Sequence, residues 1–107
     1  MLEEFFNPEA VAIVGASTHE GKIGHILVKN MLKYGYKGKI FPINPKASEI
    51  LGLKAYAGLK TVNEPIDLAI IAVHPPDVLE TVKQCGERSI KSAVVISAGF
   101  KEVSSEG

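Results

Sequence analysis

The chain alternates between two kinds of hydrophobic pattern. Residues 11–14, 39–43, 67–73 and 92–97 read as continuous apolar runs, whereas residues 22–34 and 78–88 repeat apolar positions at helical spacing. A run that is apolar throughout is buried on both faces, the condition of a strand in a parallel sheet covered by helices. In the first helical stretch Ile23, Ile26, Leu27, Met31 and Tyr34 share one face, and Gly35 follows where a glycine C-cap belongs. In the second, Val78, Leu79, Val82 and Cys85 form the expected buried stripe. Pro75 and Pro76 stop the preceding strand, and Asp77 with Glu80 three residues on forms a capping box. Residues 47–65 are less regular, with short helical turns expected near 47–51 and 58–62. Strand, helix, strand, irregular crossover, strand, helix, strand predicts a doubly wound α/β fold with a parallel sheet of order 3-2-1-4.

Length and composition narrow this picture. The 107 residues make one domain, 1–107, at the small end for such a sheet. After the fourth run, residues 99–107 offer no helix and no fifth strand. The reading is a doubly wound sheet truncated at its C-terminal end, the N-terminal part of a longer protein. Twelve basic and twelve acidic side chains leave a formal charge of +0, which argues against nucleic acid or an anionic membrane as partner. Any anion site must therefore be local. The single cysteine, Cys85, forms no internal disulfide, has no metal-like spacing with His19 or His25, and reads as a core residue. Residues 68–73, the longest apolar run, are too few to span a bilayer. The start, Met1-Leu2-Glu3-Glu4, is acidic where a signal peptide is basic, so a soluble cytoplasmic protein is expected.

Ligands of such sheets bind at the strand C-termini, near the point where strand order reverses. The segments expected to converge there are residues 16–21, 44–46, 74–76 and 97–100. The first follows the strand as Gly15-Ala16-Ser17 and reaches the helix through Gly21-Lys22-Ile23-Gly24. Small residues at a helix start let backbone N–H groups cradle a phosphate. The G-x-G-x-x-G fingerprint of dinucleotide sites is not met, because Ser17 stands in place of the second glycine. Lys22 in the first turn opposes the helix dipole by a few tenths of a kcal/mol unless an anion sits beside it. A nicotinamide site also wants an acid at the end of the second strand to hold ribose hydroxyls; Asn44-Pro45-Lys46 stands there instead. Lys46 suits extra phosphate charge. His74-Pro75-Pro76 offers a flat apolar wall for an adenine, and nothing nearby in sequence orients His74 as a base.

Three segments in order carry a resemblance: 11–17 with 21–24, Gly38 through Lys46, and Ser97-Ala98-Gly99-Phe100-Lys101-Glu102. Together they resemble the Rossmann-like CoA-binding domain of the NDP-forming acyl-CoA synthetases, over nearly the whole chain. Among these, the ADP-forming acetyl-CoA synthetase alpha subunit is the most similar, and the succinyl-CoA synthetase alpha subunit is a relative. The resemblance implies coenzyme A as the ligand. Ser17, Thr18, His19 and Glu20 would lie along its phosphates beside Gly15, Gly21 and Lys22. Lys46, Pro75, Ile96, Ser97 and Ala98 would complete the contacts. Two departures stand out: His74 replaces a frequent proline, and the Glu20 carboxylate is unexpected beside phosphates. The family reaction turns acyl-CoA, ADP and phosphate into acid, CoA and ATP through an acyl phosphate and a phosphohistidine. ADP or ATP and Mg are implied only through domains absent here, so this piece would hold CoA and carry no catalytic residue.

The implied partners are CoA and the remaining synthetase domains or an ATP-grasp beta subunit, in a homo- or hetero-oligomer. Three alternatives stay open: a stand-alone CoA-binding or regulatory protein, an NAD-binding oxidoreductase domain, and an acyltransferase using the same scaffold.

Overall fold

The computed structural model of the chain describes residues 9–96. Along it run β1 (Ala10–Val14), α1 (Ile23–Lys33), β2 (Lys39–Ile43), a hairpin of β3 (Glu49–Ile50) and β4 (Leu53–Lys54), a 3-10 turn at Leu59–Thr61, β5 (Leu68–Ile71), α2 (Pro75–Glu87) and β6 (Ser92–Val95). The main sheet has the order β2-β1-β5-β6, and every neighbouring pair is parallel.

β1 shows why the runs are apolar throughout. Ala10, Ala12 and Val14 pack into one core with Ala69, Ile71 and Cys85, while Val11 and Ile13 pack into the other with Val28 of α1 and Ile50. Alternate side chains thus feed two cores, one under each helix layer. Withdrawing a side chain such as Ile13 from water contributes about 1.5–3 kcal/mol. Asp67, expected inside the third strand, instead precedes β5. Its Oδ2 accepts the N–H groups of Glu9 (2.9 Å) and Ala10 (3.0 Å), tying the start of β1 to β5.

The 3-2-1-4 pattern appears with one reassignment. Beyond β2 the third place is held by a single parallel bridge, Ile43 to Tyr56. There Tyr56 N–H donates to the Pro42 carbonyl and Asn44 N–H to the Tyr56 carbonyl, each at 2.8 Å. The run 67–73, expected in that place, lies on the other side of β1 as β5. Burial explains the exchange: Ala69 and Ile71 are fully buried, which an interior strand permits, whereas residues of β6 at the edge alternate between half-buried and exposed.

The helices also depart from the pattern in detail. In α1 the most buried apolar side chain is Val28, and Tyr34 at the C-cap is 76% exposed. Gly35 adopts φ +77°, and the N–H groups of Gly35 and Tyr36 return to the carbonyls of Leu32 and Met31, the paired closure that favours glycine. α2 begins at Pro75 rather than at 78, with His74 as N-cap, so the Asp77–Glu80 capping box does not form. Proline is well suited to the first helical position, where an N–H has no partner in any case. The buried stripe is Thr81 and Cys85; Leu79, expected within it, is 80% exposed. Of the two expected helical turns, 58–62 matches the 3-10 turn, whereas 47–51 forms half of the β3–β4 hairpin. Its two-residue turn places Leu51 (φ 52°) and Gly52 (φ 85°) in the left-handed region, the conformation that joins tight hairpins.

Candidate functional site

The C-terminal ends of β1, β2 and β5 open on one edge of the sheet, where the chain reverses between β1 and β5. Three glycines shape the turn leaving β1, each for a different reason. Gly15 adopts φ +94°, and a Cβ there would lie 2.2 Å from the Ala72 carbonyl oxygen. A Cβ on Gly24 would stand 1.9 Å from the Gly15 carbonyl oxygen, so the first turn of α1 rests directly on the loop. Gly21 has open space around it and faces the cleft.

Side chains from elsewhere hold the loop in place. Asn44 Nδ2 donates to the Ala16 carbonyl (2.9 Å), and Asn44 Oδ1 accepts the N–H of Lys46 (2.7 Å). His25 is buried on the inner face of α1, with its Nδ1 3.0 Å from the Ser17 carbonyl. A carbonyl oxygen only accepts, so Nδ1 carries the proton. Ser17 Oγ accepts the N–H of His19 at 3.0 Å, which leaves its own hydroxyl proton to donate outward.

The two helix starts that meet at this edge differ chemically. α1 has Lys22 as N-cap with no side-chain cap and no acidic residue in its first turn. Its third and fourth N–H groups, those of His25 and Ile26, return to the Lys22 carbonyl, leaving Ile23 and Gly24 N–H without an acceptor among the described residues. α2 opens with Pro75 and Pro76, which carry no N–H, and Asp77 N–H returns to the His74 carbonyl at 2.9 Å. Donors for an anion are therefore concentrated at α1. The α2 side presents Val73, His74 and Asp77.

Between these lies an open cleft of about 960 Å³, within the range of small-molecule sites. Of the residues expected from sequence, Gly15, Ser17, His19, Gly21 and Lys22 line it together. Thr18 and Glu20 sit exposed on the same loop, between residues that line the cleft but not among them. Lys46 is exposed, and the lining at the end of β2 is Asn44 and Pro45. Pro75 is exposed and its neighbour His74 lines the cleft in its place, because the helix starts one residue after it. Ile96 is not in the lining: its N–H pairs with the Ile71 carbonyl (2.7 Å), and β5 separates it from β1. Ser97 and Ala98 lie outside the described residues.

Sequence reasoning missed Asn44 and His25 as clamps, and Ala57, Gly58, Asp77 and Gln84 as walls. His25 left no trace, because the apolar spacing of Ile23, Ile26, Leu27 and Met31 puts it on the opposite side of the helix, whereas the buried face is Gly24, His25 and Val28. Ala57 and Gly58 left none, because the one-residue bridge at Tyr56 brings them there. Among the described residues there is no cluster of His, Cys, Asp and Glu able to hold a metal ion, and no helix is long and apolar enough to cross a membrane.

Comparison with known proteins adds family to geometry. A family model described as a CoA binding domain matches residues 9–106. The chain belongs to that family. It is 40% identical over 110 residues to acetate–CoA ligase (ADP-forming) I subunit alpha of Pyrococcus furiosus, covering 99% of this chain and 24% of that protein. A solved dinucleotide-forming acetyl-coenzyme A synthetase 1 of Ca. Korarchaeum cryptofilum, in complex with phosphate and ADP, superposes with a TM-score of 0.89. It is 48% identical, over 96% of this chain and 22% of its own. A conserved hypothetical protein of Pyrococcus furiosus, at a TM-score of 0.76 and 30% identity, covers 84% of this chain and 76% of its own. The chain thus spans about a quarter of these two synthetases, as one small Rossmann-like domain of them.

Proposed function

We propose that this CoA-binding domain, residues 1–107, holds coenzyme A for an ADP-forming acyl-CoA synthetase. In this proposal its partners are CoA, further synthetase domains or an ATP-grasp beta subunit, and its setting is the cytoplasm. The observation that carries the reading is Asn44. It occupies the end of β2, where a dinucleotide site needs an acid for the ribose hydroxyls, and its amide is engaged with Ala16 and Lys46. A ligand here finds phosphate donors at α1 and no ribose clamp at β2.

The chain's residues fit CoA in sequence along the cleft. Ser17 hydroxyl and the N–H groups of Ile23 and Gly24 face the pyrophosphate, with Lys22 supplying charge and His19 and Gly21 shaping the rim. Lys46, exposed just outside, takes the ribose 3′-phosphate. The apolar side by Val73 and His74 takes the adenine, next to Pro75. Thr18 and Glu20 flank the phosphates from the solvent side, with the Glu20 carboxylate turned out. Ile96, Ser97 and Ala98 remain contacts on the strength of the family resemblance. CoA supplies the thiol; the domain orients it, which makes its encounter with an acyl group on another domain effectively intramolecular.

Calorimetric titration with CoA, dephospho-CoA and NADH tests this. CoA binding, weakened about tenfold by loss of the 3′-phosphate or by Lys46→Ala, is expected, in line with one charge-assisted contact. NADH binding without CoA binding refutes the proposal. A second reading, a stand-alone CoA-binding protein, is favoured by the hypothetical protein of comparable size. The reading frame separates the two: continuation into a second domain with a candidate phosphohistidine supports the synthetase.

A further inference from the structure

We infer that Asn44 and His25 are positioning residues that hold two successive peptide planes of the loop so that both present their N–H groups to an anion. The inference rests on the CoA reading proposed above. The carbonyl of Ala16 accepts from Asn44 Nδ2 at 2.9 Å, and the next carbonyl, that of Ser17, pairs with His25 Nδ1 at 3.0 Å. No peptide bond in the described chain is cis. In a trans peptide the C=O and the following N–H point in opposite directions, so tying a carbonyl fixes the N–H one residue on. The two ties therefore orient the N–H groups of Ser17 and Thr18. Neither N–H has an acceptor among the described residues.

This pairing of satisfied carbonyls with unsatisfied amides is specific. An untied peptide plane in a glycine-flanked loop can turn over and present an oxygen where a phosphate needs a hydrogen. The ties come from two different elements. Asn44 leaves the end of β2 and His25 sits in the first turn of α1, so the planes are held against both the sheet and the helix. Asn44 does a second job: its Oδ1 accepts Lys46 N–H at 2.7 Å, linking the loop after β2 to the loop after β1. His25 is 6% exposed, and its placement in an otherwise apolar layer has no packing rationale that valine or leucine would not serve better.

The test combines calorimetry with amide spectra of the isotopically labelled chain titrated with CoA and, separately, with inorganic pyrophosphate. In the parent, pyrophosphate shifts the Ser17 and Thr18 amide signals, and the His25 ring nitrogens report a proton on Nδ1. His25→Leu and Asn44→Ala each weaken CoA binding about tenfold, the value of one lost charge-assisted hydrogen bond. Asn44→Ala abolishes the pyrophosphate shift at Ser17 and His25→Leu that at Thr18, while those at Ile23 and Gly24 persist, a separation that a general loss of structure does not produce. His25→Asn, which returns an N–H near the place of Nδ1, restores most of the affinity. Folded variants that bind CoA as the parent does overturn the inference. So does an unprotonated Nδ1 on His25 in the parent, which needs no variant to fold. A parent that binds pyrophosphate at Ser17 and Thr18 but no CoA refutes the CoA reading and leaves the positioning role standing.

Discussion

Replacing Gly24 by alanine separates the two parts glycine plays in this loop. In an exposed helix interior the change is worth about 1 kcal/mol in favour of alanine. Here the added Cβ meets the Gly15 carbonyl oxygen at 1.9 Å, its carbon at 2.7 Å and the Ala16 Cα at 2.9 Å. All three are backbone atoms, so no side chain can rotate aside. Ordinary contact begins at 3.4 Å, and the start of α1 must retreat by roughly 1.5 Å. Overpacking of this kind costs about 1–3 kcal/mol, and backbone obstacles put it at the upper end. The net expectation is a loss of about 1–2 kcal/mol, a drop in Tm of at least about 5 °C for a domain of this size. A retreat of that size also carries the Ile23 and Gly24 N–H groups out of hydrogen-bond range of a phosphate, so CoA affinity falls at least about tenfold. Gly21→Ala is the control, since nothing lies within 4 Å of its Cβ position, and its stability should stay within about 0.5 kcal/mol of the parent. Thermal melts and CoA titrations of both variants are the assay. Gly24→Ala melting at or above Gly21→Ala would refute the close-packing argument.

Three further outcomes are expected. Burial holds the Cys85 thiol above its ordinary range, so iodoacetamide should label it far more slowly in the native chain than in urea. Equal rates would show that the site is open. Burial first, then the Asp67 and Glu9 carboxylates, raise the Tyr36 phenol above its usual 10.0. The stabilisation that follows is fully present below pH 10.0 and is lost as pH rises through the folded value, so denaturation midpoints of the parent should fall above that pH more steeply than those of Tyr36→Phe. Parallel curves would remove Tyr36 as the cause. Ser89 closes α2 at φ 57°, where glycine is unstrained. Ser89→Gly should therefore raise the urea midpoint by the equivalent of about 0.5–1 kcal/mol, and an unchanged or lower midpoint contradicts this.

The parts of the fold that rest on local pattern were legible in the sequence, and the parts that rest on a distant partner were not. Val11 to Val14 had to be an interior strand because every side chain is apolar, and Gly35 marked the end of α1 because only glycine adopts its φ without strain. The hairpin at residues 49–54 was hidden because Leu51 sits in a conformation leucine rarely takes, held there by the burial of Ile50 beside it. The wall at Ala57 and Gly58 was hidden because a single bridge to β2 creates it. Leu79 misled for the opposite reason: its spacing fits the stripe, yet α2 packs with Thr81 and Cys85 inward and leaves Leu79 in water.

The same Pro75-Pro76 pair decides more than the start of a helix. In a doubly wound sheet two helix starts meet at the reversal point, and each is by default an anion site. Two prolines remove two donors from α2, and Asp77 returns the third to His74 and adds a negative charge at the cleft. α1 is the reverse, with Lys22 at its cap, no acid in its first turn and two N–H groups without a partner among the described residues. A cleft built this way takes a ligand with its phosphates at one end and an apolar or neutral polar group at the other. That is the shape of CoA laid across the edge of the sheet. On the proposed reading, a composition-neutral chain needs no basic surface to hold a multiply charged cofactor: a few oriented amides and one or two lysines would meet the charge at a single place.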